Sequence, residues 1–281
     1  MSKIHSSIEK AIEKSRESLS GKPQNRGRSD DGSGSQQGRS AGLEIFRAFR
    51  AAEASKEAME ESLFVSAIDD RSAIGAYKVL RTRVIQRMRS NNWRTLLVTS
   101  VGAGEGKTLT ASNLALSLSR DVNQSVVLVD LDLQRSKVAQ YFGFDVEIDN
   151  GIGDYLNGNV EIPEVIYTPK GMERISVIPN REPVENSSDL LSGPRMKQLL
   201  EWLQQQSDRT IVIFDMPPIM ASDDVLAFCP EVDAILFVAT QGQTERDLLK
   251  KAMELLGDNN LLGVVLNKSD DTRDRDAYGY S

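Results

Sequence analysis

Cysteine and histidine are almost missing from this chain: Cys229 and His5 are the only examples. A lone cysteine excludes an intramolecular disulfide and reads as a small core residue. With one histidine, placed in a terminal stretch, the chain lacks the parts of a Ser-His-Asp triad or a His/Cys zinc site. Long apolar runs are missing as well. None approaches the roughly 20 residues that cross a bilayer, and the first twenty residues mix charged and apolar side chains without the hydrophobic core of a signal peptide. The expectation is a cytoplasmic protein, peripheral to the inner face of the cell membrane through a partner. An excess of basic residues is also lacking. The formal net charge of -7 argues against a nucleic-acid-coating role. The chemistry left to the chain runs on carboxylates, lysine, backbone amides and a hard metal ion.

What is present is a globular composition, 40% hydrophobic and 27% charged. Residues 1–20 place Ile4, Ile8, Ala11, Ile12 and Leu19 on one face of a short amphipathic helix, either a frayed tail or a docking element for another protein. Residues 21–42 are rich in Gly, Ser, Gln, Arg and Asp and hold no large apolar side chain. Such a stretch cannot offset its ordering entropy and is expected to be a disordered linker. Residues 43–70 read as a helical segment, clearest from Leu43 to Met59. Ser72–Arg89 follows as a second helix, with Ile74, Tyr77, Leu80, Val84 and Met88 on one face.

The stretch 71–268 reads as one domain. Thr95–Ser100, Val126–Asp130, Ile175–Ile178, Ile211–Asp215, Ala234–Ala239 and Gly263–Asn267 are continuous apolar runs, the pattern of parallel strands buried on both faces. Thr108–Arg120, Pro194–Gln206 and Glu245–Leu256 have helical length and period. The alternation predicts a doubly wound, mostly parallel α/β sheet with its sites at the carboxyl ends of the strands. Residues 269–281 form a polar tail, expected to be flexible, with Tyr278 and Tyr280. These tyrosines are either incidental or presented to an active site as phosphate acceptors.

Three motifs carry chemistry. In LLVTS-VGAGEGKT-LTASNLALSL a buried strand, a glycine-rich loop and a helix follow one another. Phosphates need a ring of backbone N–H donors at a helix N-terminus. Gly102, Ala103, Gly104, Glu105, Gly106, Lys107, Thr108 and Leu109 are therefore the candidate nucleotide-binding positions, with Lys107 reaching the β- and γ-phosphates and the Thr108 hydroxyl ligating Mg2+. Val101 stands where the strict P-loop pattern has its first glycine. In VVLVD-LDLQRS, Asp130 and Asp132 sit at a strand tip, where two carboxylates repel unless a cation lies between them; one of them could instead accept a proton from an attacking hydroxyl. In IVIFD-MPP, four apolar residues run into Asp215, as in a Walker B strand whose aspartate holds the metal. A last strand ends at Asn267, either a purine-reading amide or a turn former.

In this order the motifs VTSVGAGEGKT, VLVDLDLQRS, LLSGPRMKQLL, FDMPP-IMASDD and GVVLNK resemble the bacterial tyrosine kinases (BY-kinases) of capsular and exopolysaccharide systems, over roughly residues 70–281. The short N-terminal region with its linker is similar to the exosortase-associated variant. The resemblance implies a P-loop NTPase fold of the MinD/BY-kinase type and ATP-dependent autophosphorylation of Tyr278 and Tyr280, in trans within a ring. It also implies a membrane adaptor of the polysaccharide chain-length-regulating type. By the same resemblance Asp130 is the proton acceptor, while Asp132 and Asp215 organise magnesium with Thr108. The chain departs from the family at Ala103 (usually Pro), Leu109 (often Ser or Thr) and Gln134-Arg135-Ser136 (usually Arg-Arg-Pro). The oligomerising Glu-x-x-Arg-x-x-Arg pattern appears as Gly75, Lys78 and Arg81, which removes half of any intersubunit ion pair. Two other readings are a kinase-inactive, nucleotide-gated assembly switch and a ParA/MinD-like positioning ATPase. The latter group has a lysine where this chain has Gly102.

Overall fold

The computed structural model describes residues 50–52, 59, 71–143 and 148–269. The helix expected over 1–20, the linker over 21–42 and the tail with Tyr278 and Tyr280 lie outside the described residues. So does most of 43–70.

The elements in chain order are β1 (Arg50–Ala52), α1 (Arg71–Asn91), β2 (Thr95–Ser100), α2 (Lys107–Ser119), β3 (Ser125–Asp130), α3 (Val138–Phe142), α4 (Ile152–Leu156), β4 (Tyr167–Pro169), β5 (Ile175–Ile178), α5 (Ser187–Leu191), α6 (Pro194–Gln204), β6 (Thr210–Asp215), α7 (Asp224–Phe228), β7 (Ala234–Thr240), α8 (Arg246–Leu256) and β8 (Leu261–Asn267). The strands form one eight-stranded sheet in the order β1-β4-β5-β3-β6-β2-β7-β8. Every pairing is parallel except that of β4 with β5.

Side chains alternate across each strand, so each continuous apolar run feeds two cores. Leu97, Val127, Val129, Val212, Phe214, Ile235 and Phe237 face one layer, packed against α4, α6, α7 and α8. Leu96, Val98, Val126, Leu128, Ile211, Ile213, Leu236 and Val238 face the other, against α1, α2 and α3. α6 starts where Pro194 takes its first turn after Gly193, a position at which the missing proline N–H is no loss. It then buries Met196, Leu199, Leu200 and Leu203 on one stripe. Cys229 is buried among the first cluster, and burial pushes its thiol up. It is a core residue, as expected.

One expectation fails. Arg50–Ala52 lie inside the segment read as helix, yet they form an edge strand, parallel to β4 with Ala52 opposite Pro169. The Lys170 N–H donates to Ala52 O at 2.9 Å. A tertiary pairing overrides a helical composition here. No helix among the described residues is long and apolar enough to cross a membrane.

Candidate functional site

The middle of the sheet runs β3-β6-β2, and the three strands end together. Asp130 on β3 is in register with Asp215 on β6, and Asp215 is in register with Val98 on β2. The loops continue this alignment. Leu131 N donates to Asp215 O at 2.8 Å, Met216 N to Val98 O at 3.0 Å and Ile219 N to Ser100 O at 2.9 Å. The acidic tips and the glycine loop between β2 and α2 therefore share one corner of the sheet.

Lys107 opens α2 and points back into this corner. Its Nζ lies 2.7 Å from Asp132 Oδ2 and 3.7 Å from Asp215 Oδ1, and donates to Thr108 Oγ1 at 3.1 Å. Burial alone would lower the ammonium's pKa, but the Asp215 and Asp132 carboxylates outweigh it and hold the group above its ordinary value. Asp130 is fully buried. Its Oδ2 accepts from the Lys137 and Val138 N–H groups, each at 3.0 Å, and its Oδ1 from Asp132 N at 3.2 Å. Burial, reinforced by the Asp215 charge, nonetheless pushes its carboxyl up to about 8, against the Val138 N–H and Lys107. Asp215 is also raised, by burial first, with Lys107 opposing. Three carboxylates face one ammonium, so the site carries a local excess of negative charge.

The glycine loop between β2 and α2 is held in shape from beneath. Glu105 is buried, and its Oε2 accepts from Val101 N at 2.8 Å and Gly102 N at 3.1 Å. Its Oε1 accepts from Thr244 Oγ1 at 2.5 Å. Its main-chain oxygen accepts from Thr240 Oγ1 at 3.1 Å and Asn267 Nδ2 at 2.9 Å. Glu105, a nucleotide-binding candidate by its place in the motif, uses its side chain to brace the loop's own backbone. Val101 stands at the strict pattern's first glycine because its φ is not positive and its side chain is buried. Gly104 and Gly106 do take positive φ, 77° and 88°. A Cβ on Gly106 would also collide with Asn267 Nδ2. Asn267 thus packs on the loop, with its Oδ1 taking Lys268 N at 2.9 Å. Ala103 is exposed, while Leu109 packs its side chain on the apolar layer of α1 and α2.

The residues present fit a hard cation. Both oxygens of Asp215 are buried without a hydrogen-bond partner, and the nearby donors are carboxylates and the Thr108 hydroxyl. Among the described residues no three acidic, histidine or cysteine side chains make a closed metal cage. Magnesium is held by one or two carboxylates plus phosphate oxygens and waters, and the unpartnered oxygens of Asp215 are of that kind.

One structural segment escaped the sequence reading. Residues 180–187 bridge the loops after β3 and β6. Gln134 Nε2 donates to Val184 O, Val184 N to Leu133 O at 3.0 Å, and Ser187 Oγ to Asp224 Oδ1 at 2.8 Å. Gln134, where the family has arginine, is thereby a link between loops.

Residues 96–278 match the CobQ/CobB/MinD/ParA nucleotide binding domain. The chain is 32% identical over 198 residues to tyrosine-protein kinase etk of Escherichia coli K12, an alignment covering 70% of this chain and 26% of that protein, about a quarter of its length. It is 28% identical over 194 residues to tyrosine-protein kinase CpsD of Streptococcus agalactiae, covering 68% of this chain and 82% of that one. The solved kinase domain of Escherichia coli tyrosine kinase ETK matches with a TM-score of 0.65 at 31% identity, over 73% of this chain and 81% of that one.

Proposed function

Because the chain belongs to the CobQ/CobB/MinD/ParA nucleotide binding domain family, among the kinase domains of bacterial tyrosine kinases, we propose that it is an ATP-dependent tyrosine autokinase acting on Tyr278 and Tyr280 of its own tail. In this reading it regulates exopolysaccharide polymerisation and export with a membrane adaptor of the chain-length-regulating type. The observation that carries the proposal is the convergence of Lys107 Nζ, Asp132 and Asp215 within 3.7 Å, with Asp130 in register beside them.

The geometry supports a division of roles. The first-turn N–H groups of α2 have no intrahelical partner and, with the glycine loop, receive the β- and γ-phosphates. Lys107 exchanges its carboxylate contacts for phosphate oxygens, a short swing for a flexible side chain. Thr108, Asp132 and Asp215 would hold magnesium, which supplies charge neutralisation on the phosphates. Asp130, fixed by main-chain donors beside the other two acidic strand tips, takes the proton of the attacking tyrosine hydroxyl. Asn267 stands beside the loop, where its remaining amide valences would serve to read the purine.

Incubating purified protein with ATP and magnesium, and mapping phosphotyrosine by mass spectrometry, tests the proposal. Phosphate confined to Tyr278 and Tyr280 and absent in Lys107→Met is the expected result. Wild type that yields no more than that variant, with its adaptor supplied, removes the kinase reading.

A further inference from the structure

Charge in this domain is sorted by layer. α1 holds Arg71, Lys78, Arg81, Arg83, Arg87 and Arg89 and no Asp or Glu. α2 and α3, in the same layer, hold no acid either. The opposite layer has Asp154 on α4, Glu201 on α6, and Asp247 and Glu254 on α8. A chain of net charge -7 therefore presents one basic face.

Lys78, Arg81 and Arg120 line one crevice between α1 and α2. Arg89 follows Lys78 after about three turns, on the same side of α1. Arg81 gives one N–H to Ser117 O at 3.1 Å. Lys78, Arg89 and Arg120 are exposed and make no ion pair among the described residues. The turn after α2 lifts Val122 into solvent, 73% exposed. Its acidic neighbour Asp121 turns one oxygen to Asn123 N at 2.9 Å.

This face suits a lipid leaflet better than a protein. Protein interfaces are anchored by side chains in a desolvated centre, and α1 exposes no large hydrophobic residue. An anionic leaflet needs only clustered cations and takes up a small apolar tip between them. Val122 is such a tip, which a nucleic-acid backbone would leave unused. We propose that the α1–α2 face docks this domain directly on an anionic membrane surface. Lys78, Arg81, Arg89 and Arg120 meet the headgroups, and Val122 sits at headgroup level. The acids of α4, α6 and α8 lie across the sheet, where salt screens them. Each cation at the surface strengthens binding roughly fivefold, so the four give a reversible contact of the chain's own, beside that of any adaptor.

The test floats the full chain with vesicles of phosphatidylcholine alone or of equal parts phosphatidylcholine and phosphatidylglycerol. Wild type is expected to rise only with the mixed vesicles. Lys78→Gln, Arg89→Gln and Arg120→Gln together should weaken that binding roughly 100-fold. A charge-matched control on α6 and α8, Lys197→Gln, Lys250→Gln and Lys251→Gln together, should bind as wild type does. Equal loss in both triple variants, or none in the first, overturns the inference. So does binding to a DNA duplex as tight as binding to the vesicles. Val122→Trp gives a reading that does not depend on the folding of the triple variants. Its added fluorescence over wild type should shift to the blue with mixed vesicles, and an unshifted signal overturns the docking.

Discussion

Gly106 and Gly104 both sit at positive φ, but their surroundings differ. At Gly104 the nearest atom to an added Cβ is Gln243 Nε2 at 3.8 Å, whereas at Gly106 the Cβ meets Asn267. Gly104→Ala is expected to cost about 1–2 kcal/mol of backbone strain, and Gly106→Ala more, with nucleotide affinity lost; denaturant titration and calorimetry with ATP read both. Glu105→Ala would orphan the buried Val101 N–H, at about 1–3 kcal/mol, strip the half-buried Gly102 N–H of its acceptor, and loosen the loop that Lys107 follows. A lowered urea midpoint together with weaker ATP binding is the expected pair of outcomes. The brace was half legible. A carboxylate inside a phosphate loop is electrostatically wrong unless it turns away, but Thr244 lies 139 positions along the chain, and spacing alone cannot join them. Asp130 adds a pH signature. Its folded pKa of about 8 stands above the ordinary 3.8, so its contribution to stability is present below the ordinary value and lost as pH rises through about 8. Melting curves of the nucleotide-free protein should therefore fall over that window more steeply in wild type than in Asp130→Asn.

Helices and strands obey different legibility rules in this chain. β2, β3, β5, β6 and β7 are buried along their whole length, so each appears as an unbroken apolar run, and the positions read from sequence differ from the observed strands by only a residue or so. β1 and β4 have three residues each, too few to show a period, and Arg50–Ala52 reads as helix because its strand state exists only through its neighbour. The short helices α3, α4, α5 and α7, five residues each, are set by loop packing and left no pattern. α1 offers a test at this scale. A Cβ at Gly75 meets nothing within 4 Å, so Gly75→Ala should stabilise the domain by up to about 1 kcal/mol through helix propensity. Gly75→Glu would restore the acid of the oligomerising pattern, and light scattering should show a larger assembly than wild type if Lys78 and Arg81 answer it.

For the molecule as a whole, the site joins the two halves of the sheet, since β3, β6 and β2 each end in it. A ligand there is bound only by the folded chain. At a hundredfold excess over its dissociation constant, ATP with magnesium should add about 2.7 kcal/mol, a rise of roughly 5–10 °C for a domain of this size. Chelating the metal should return most of that shift, because the phosphates would then add charge to a corner already rich in carboxylates. Thermal scans with and without chelator measure it. The same corner explains a tension between endurance and work. Asp130 and Asp215 are locked abreast by the pairing of β3 with β6, and no relaxation of the backbone can part them. Asp215→Asn would lift one charge without altering shape, giving a hardier protein that no longer takes up magnesium-dependent ATP.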